Sequence, residues 1–175
     1  MGTAVSRIVS LADHLAPDSI RSLRRAATMR VGEADVLSQA GHWTAAIYLL
    51  GYAVEMCLGA AAFQAAGYDI RQEIPRDERL AKANQLKAIP GADGKRLMTT
   101  DPHDFVGWAR YLEWHQSPTA DAGRKVVLQE AVRRAKVVYQ HWRPELRYKT
   151  TTDSERQLAV VRPESEWFLQ RIDTL

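Results

Sequence analysis

GHWTAAIYLLGYAVEMCLGAAAFQAAG, Gly41 to Gly67, carries one charge, Glu55, and only His42, Thr44 and Gln64 as other strongly polar members. A helix that is apolar on every side belongs at the centre of a bundle or in a membrane. The run is long enough to span a bilayer, but a carboxylate near its midpoint would cost about 2.5 to 3.5 kcal/mol there. No second span and no flanking Lys or Arg cluster accompanies it. The reading is therefore a buried central helix and no membrane association.

Working outward, Ile20, Leu23, Ala27, Val31, Ala34 and Leu37 recur at spacings of three and four. They predict an amphipathic helix capped by Asp18 or Ser19 and closed by Gly41. Gly32 inside it is a mild defect that close packing on the central helix would explain. Residues 68–101 form an irregular connection with a helical patch around Glu78 to Ile89. Within it, Gly91-Ala-Asp-Gly-Lys95 lacks the spacing of a phosphate loop and reads as a turn. Asp101-Pro102 starts a short helix, with Phe105, Trp108, Leu112 and His115 on one face. A longer helix runs from Thr119 or Asp121 to Trp142, its seam made by Leu128, Ala131, Ala135, Val138 and Trp142. Thr150 to Asp153 is a loop, and a last helix is expected from Pro163 to Leu175. No segment alternates as a strand would. The expectation is an all-α, antiparallel four- to five-helix bundle in one domain, residues 1–175, with residues 1–17 as a loose arm.

At 175 residues, 46% apolar and 26% charged, the chain has the composition of an ordinary globular protein. Its single cysteine, Cys57, lies inside the apolar run and reads as a small buried hydrophobe. The N-terminal stretch has no secretory pattern, so a cytoplasmic protein is expected. The net charge of +3 is unevenly spread. Arg124, Lys125, Arg133, Arg134, Lys136, Arg143, Arg147 and Lys149 face only Glu130 and Glu145 in their segment, and Arg21, Arg24 and Arg25 form a second cluster. Such stretches are either solvated helix faces or phosphate-binding surfaces.

A buried Glu55 must find a partner or take up a proton. It is either a hydrogen-bonded structural carboxylate or the group that orients an arginine in a cleft, with Arg147 as the candidate. Metal-ligand spacing is absent among His42, His103, His115 and His141, and no nucleophile motif is present. No metal and no cofactor is expected.

Ala34 and Leu37 before Gly41, then Tyr48-Leu-Leu-Gly-Tyr-Ala-Val-Glu-Met-Cys-Leu58, then His103-Asp104-Phe105, then Trp142-x4-Arg147-Tyr148 form an ordered series. Across roughly residues 20 to 150 this order resembles the HEPN family. The resemblance implies a dimeric four- to five-helix bundle of prokaryotic toxin–antitoxin or defence systems. Many members are metal-independent ribonucleases, and others bind nucleotides or partner minimal nucleotidyltransferases. Active members carry Arg, four to six residues, then His, with the pairs meeting across the dimer interface. There the His serves acid–base chemistry and the Arg stabilises the phosphate.

This chain departs from that pattern, because Arg147 is followed by Tyr-Lys-Thr-Thr-Thr-Asp-Ser. Arg110 and His115 do have the bare spacing, but they lie on the wrong helix, about 140° apart around its axis. The first reading is thus a homodimeric binding module without ribonuclease activity. In it Glu55, Arg147, Tyr148 and Lys149 hold RNA, a nucleotide, or a partner such as an antitoxin or a minimal nucleotidyltransferase. One alternative is a metal-independent endoribonuclease using Arg110 and His115, or a diverged Arg147 site. Another is an interaction-only helical scaffold.

Overall fold

The structure, a computed structural model, describes residues 18–91, 94, 96–97, 103–149 and 155–175. The expected N-terminal arm, the Asp101-Pro102 helix start and the Thr150–Asp153 loop lie outside these residues. The described residues form six α-helices: α1 (Ile20–Gln39), α2 (Trp43–Ala65), α3 (Arg76–Ala88), α4 (Phe105–Gln116), α5 (Ala122–His141) and α6 (Glu155–Gln170). A 3-10 helix, Pro144–Tyr148, follows α5. Pairing outside the helices is limited, among the described residues, to two isolated bridges, Asp18 with Ile74 and Pro90 with Arg96.

α2 is the hub. It packs against α1, α4, α5, α6 and the 3-10 helix. Among the described residues it is the one helix long and apolar enough to cross a membrane, yet 78% of its most apolar window is buried inside the bundle. Its two ends show why the sequence stops there. At Gly41 (φ 79°) the chain turns left-handed, so Gly41 N donates to Ser38 O and His42 N donates to Leu37 O, closing α1. Gly67 (φ 90°) repeats this device after α2, with Gly67 N on Gln64 O and Tyr68 N on Phe63 O. The apolar contact that accompanies such a cap is the edge-on pair Phe63–Tyr68, with ring centroids 5.1 Å apart.

Helix starts follow local capping chemistry. Ser19 and Ser22 form a reciprocal capping box on α1. Asp104 caps α4 through Gly107 N at 2.9 Å, and Asp121 caps α5 through Arg124 N at 2.7 Å. The expected seams of α1 and α5 are buried from Ile20 to Ala34 and from Leu128 to Trp142. The expected turn at Gly91–Lys95 agrees with what is described there: Gly94 has φ 73° and its N–H reaches Gly91 O.

Three details differ from expectation. Gly32 is exposed, and a methyl group added there would meet nothing within 4 Å, so helix packing does not require it. His115 is exposed, whereas Phe105, Trp108 and Leu112 of the same expected face are buried. The last helix begins at Glu155, not Pro163, and carries that proline in its interior. Its seam of Leu158, Val161, Ser165 and Phe168 runs straight through, which outweighs the hydrogen bond that proline cannot make.

Candidate functional site

Tyr48, Tyr52 and Glu55 are spaced four and three residues apart on α2, so they share one helical face. Two further elements converge on that face. One is the entry to α4, where the cap at Asp104 fixes the chain next to His103. The other is the exit from α5, where Trp142 is fully buried. Its indole N–H donates to Tyr48 O at 2.9 Å, and its ring lies directly over Gly51. The 3-10 helix starts two residues later with Pro144 and presents Arg147 and Tyr148. Proline after the helix end, a buried tryptophan and a glycine seat thus aim a short basic turn at α2.

The centre of the site is a hydrogen-bonded pair, Glu55 and His103. Nδ1 of His103 lies 3.2 Å from Oε2 and 3.3 Å from Oε1 of the carboxylate. Glu55 is buried and His103 is one-third exposed, so the pair runs from the core toward the surface. A carboxylate can only accept, so Nδ1 carries the hydrogen and Nε2 is the nitrogen not committed to Glu55. Tyr52 stands edge-on to both His103 (6.0 Å) and Trp142 (5.2 Å). The Tyr48 hydroxyl lies 3.4 Å from that of Tyr52. Burial first, and then the Tyr48 hydrogen bond, push the Tyr52 phenol well above its ordinary value, so it remains a neutral phenol.

Arg147 is exposed, with its guanidinium 4.6 Å over the Tyr148 ring. The Tyr148 phenol and then a hydrogen bond with Tyr48 raise its pKa, so it is cationic throughout. Tyr148 is 71% exposed and Lys149 is also exposed. Glu55 pairs with His103, and Arg147 hydrogen-bonds Tyr48 and lies over the Tyr148 ring. Sequence reasoning used His103 as part of the motif order and as a rejected metal ligand, and did not pair it with Glu55. The available signal was a mid-helix carboxylate in need of a donor.

Arg110 and His115 are not brought together. Arg110 lines a groove between α4 and α5, whereas His115 sits among Tyr111 and Trp114, at centroid distances of 5.4 and 6.4 Å. Among the described residues no group of three or more His, Cys, Asp or Glu could hold a metal ion. Much of the basic character expected along α5 is locally satisfied. Glu130 is clasped by Arg133 and Arg134, and Arg134 also reaches Glu164. No family model, curated protein or solved structure gives a significant match to the chain.

Proposed function

We propose that this chain is a HEPN-like, homodimeric, cytoplasmic module of a prokaryotic toxin–antitoxin or defence system that binds RNA without cleaving it. The observation that carries the reading is the basic turn Arg147–Lys149 held beside the Glu55–His103 pair. Arg147 and Lys149 supply charge to phosphate oxygens, and exposed Tyr148 supplies a ring on which a base can stack. The all-helical bundle with α2 at its centre agrees with the resemblance in motif order.

A second reading, metal-independent endoribonuclease, is favoured by one feature: a histidine oriented by a buried carboxylate is the arrangement of a general base. Nε2 of His103 would take the proton of a ribose 2′-OH and the 2′-oxygen would bond to phosphorus. The 5′-oxygen would then leave and take a proton from water, giving a 2′,3′-cyclic phosphate. Arg147 would stabilise the charge on phosphorus.

One experiment separates them. Fluorescein-labelled single-stranded RNA is incubated with the protein in EDTA, and both anisotropy and strand length are read for wild type, Arg147→Ala and His103→Ala. Binding that Arg147→Ala abolishes, with the RNA intact, supports the binding module. Cleavage that His103→Ala abolishes supports the nuclease. Binding unchanged by Arg147→Ala overturns the placement of RNA on this turn.

A further inference from the structure

A groove of about 700 Å³ opens between α4 and α5 and shares no lining residue with the Glu55–His103 site. Arg96, Arg110, Lys125 and Lys136 stand around it, and Glu113 is the one carboxylate among its described lining residues. The apolar part of the lining includes Leu97, Val132 and Trp114, which is 47% exposed.

These cations are not a by-product of a basic helix. α5 engages Arg124 with the Gln116 side chain and the carbonyls of Thr174 and Leu175, and Arg133 and Arg134 with Glu130. Arg110, Lys125 and Lys136 have no ion-pair or side-chain hydrogen-bond partner among the described residues, and all three line this one groove. Like charges left unpaired around a concavity repel one another, and an anionic occupant relieves that repulsion. Lys125 and Lys136 lie eleven residues apart, which puts them on one face of α5 and about 16 Å apart along its axis. An extended peptide covers that distance in about five residues, with every second side chain on the same side. Between the two lysines the α5 wall offers Val132, so charge stands at both ends and apolar surface between.

We propose that this groove docks an extended acidic segment of a partner protein, its carboxylates on the four cations and an apolar side chain against Trp114 and Val132. An exposed tryptophan one helical turn from an arginine is the composition of an interface's energetic centre. Glu113 separates a peptide from a nucleic acid as occupant. Its carboxylate can accept a peptide N–H, whereas a phosphodiester backbone brings it only like charge. None of these residues belongs to the Arg147–Lys149 turn, so docking here and RNA binding there stand or fall separately. Arg110 thereby acquires a role independent of His115.

The test titrates the full chain, at low salt, into a fluorescein-labelled peptide of about ten residues, acidic around two central leucines and about twice the length of the groove. Anisotropy reads the binding. Exchanging the peptide's acids for glutamine should weaken it by at least about tenfold, and so should Lys125→Glu, an exposed position away from the core. Trp114→Ala should weaken the leucine peptide by at least about tenfold and leave unchanged the weaker binding of an all-acidic peptide of equal length. Arg147→Ala should alter neither, and circular dichroism of each variant confirms that it is folded. An oligouridylate of equal charge, added as competitor, should not displace the peptide. Absence of binding to wild type at about 1 mM, equal binding of the glutamine peptide, indifference to Lys125→Glu, or displacement by the oligouridylate would each overturn the proposal.

Discussion

Gly51 is the position where the fold and the candidate site depend on a single hydrogen atom. An added Cβ would lie 2.1 Å from Cδ1 and 2.3 Å from Cγ and Nε1 of Trp142. Carbon atoms pack at about 3.5 to 4.0 Å, so in Gly51→Ala the indole must retreat by about 1.5 Å. It has nowhere to go, because Trp142 is fully buried and stands edge-on to Tyr52 and tilted on Phe105, each 5.2 Å away. Its N–H would also leave Tyr48 O. Overpacking of this kind costs about 1 to 3 kcal/mol, and an abandoned buried donor adds about 1 to 3. Exchanging glycine for alanine inside a helix returns about 1 kcal/mol. The net expectation is a loss of about 1 to 5 kcal/mol, or roughly 2 to 20 °C in melting temperature for a chain of this size.

Urea unfolding followed by tryptophan fluorescence and circular dichroism measures the loss. Gly32→Ala is the control, since it makes the same change in helix α1 with open space around it. It should gain about 0.5 to 1 kcal/mol. A Gly51→Ala protein as stable as wild type would refute the seating of Trp142 on α2, and with it the positioning of Arg147.

Glu55→Ala removes a hydrogen-bond partner of His103 and should cost about 1 to 3 kcal/mol, whereas Glu55→Gln, which still accepts a hydrogen bond, should cost less. Equal stability of both variants with wild type in urea would show that the pair is dispensable. The Glu130 carboxyl is held at about 2, against an ordinary 4.5, first by its hydrogen bond from Arg133 and also by the charge of Arg134. A depressed carboxyl contributes stability above its unfolded value, and that contribution fades as pH falls from about 4.5 to about 2. After screening of this half-exposed network, about 1 kcal/mol should disappear across that window in wild type and not in Glu130→Gln, read by melting temperature against pH. Burial pushes the Cys57 thiol up to about 12, so alkylation at pH 8 should proceed only through opening of the bundle. Labelling of the native protein at the rate of a free thiol would contradict this.

Whatever repeats at helical spacing was legible in the chain. The seam of α5 from Leu128 to Trp142 and that of α1 from Ile20 to Ala34 are local patterns, and burial follows them. Ser19, Gly41 and Gly67 were legible for the same reason, because a cap is decided by the few residues around it. Pro163 misled, since proline is favoured at a helix start and nothing local told that position from an interior one. The distinction is tertiary. Ala159, whose carbonyl an ordinary residue at 163 would have bonded, is exposed, so water can take the place of the missing N–H.

The candidate site was harder because its contacts have no period. Glu55 and His103 are 48 residues apart, and Tyr48 and Trp142 are 94 apart. Chemistry could say that a carboxylate in the middle of an apolar helix needs a donor, but arginine, histidine and tyrosine all qualify. Arg147 was the strongest of these on charge alone. The short 3-10 helix leaves Arg147 at the surface, and the cap at Asp104 sets His103 beside Glu55 on α2. Both outcomes trace to termini rather than to helix faces. A bundle such as this fixes its core by periodicity and its chemistry by where its helices begin and end. The same division accounts for Arg110, which a sequence spacing coupled to His115 and which the packing of α4 on α5 places along one groove with Lys125 and Lys136.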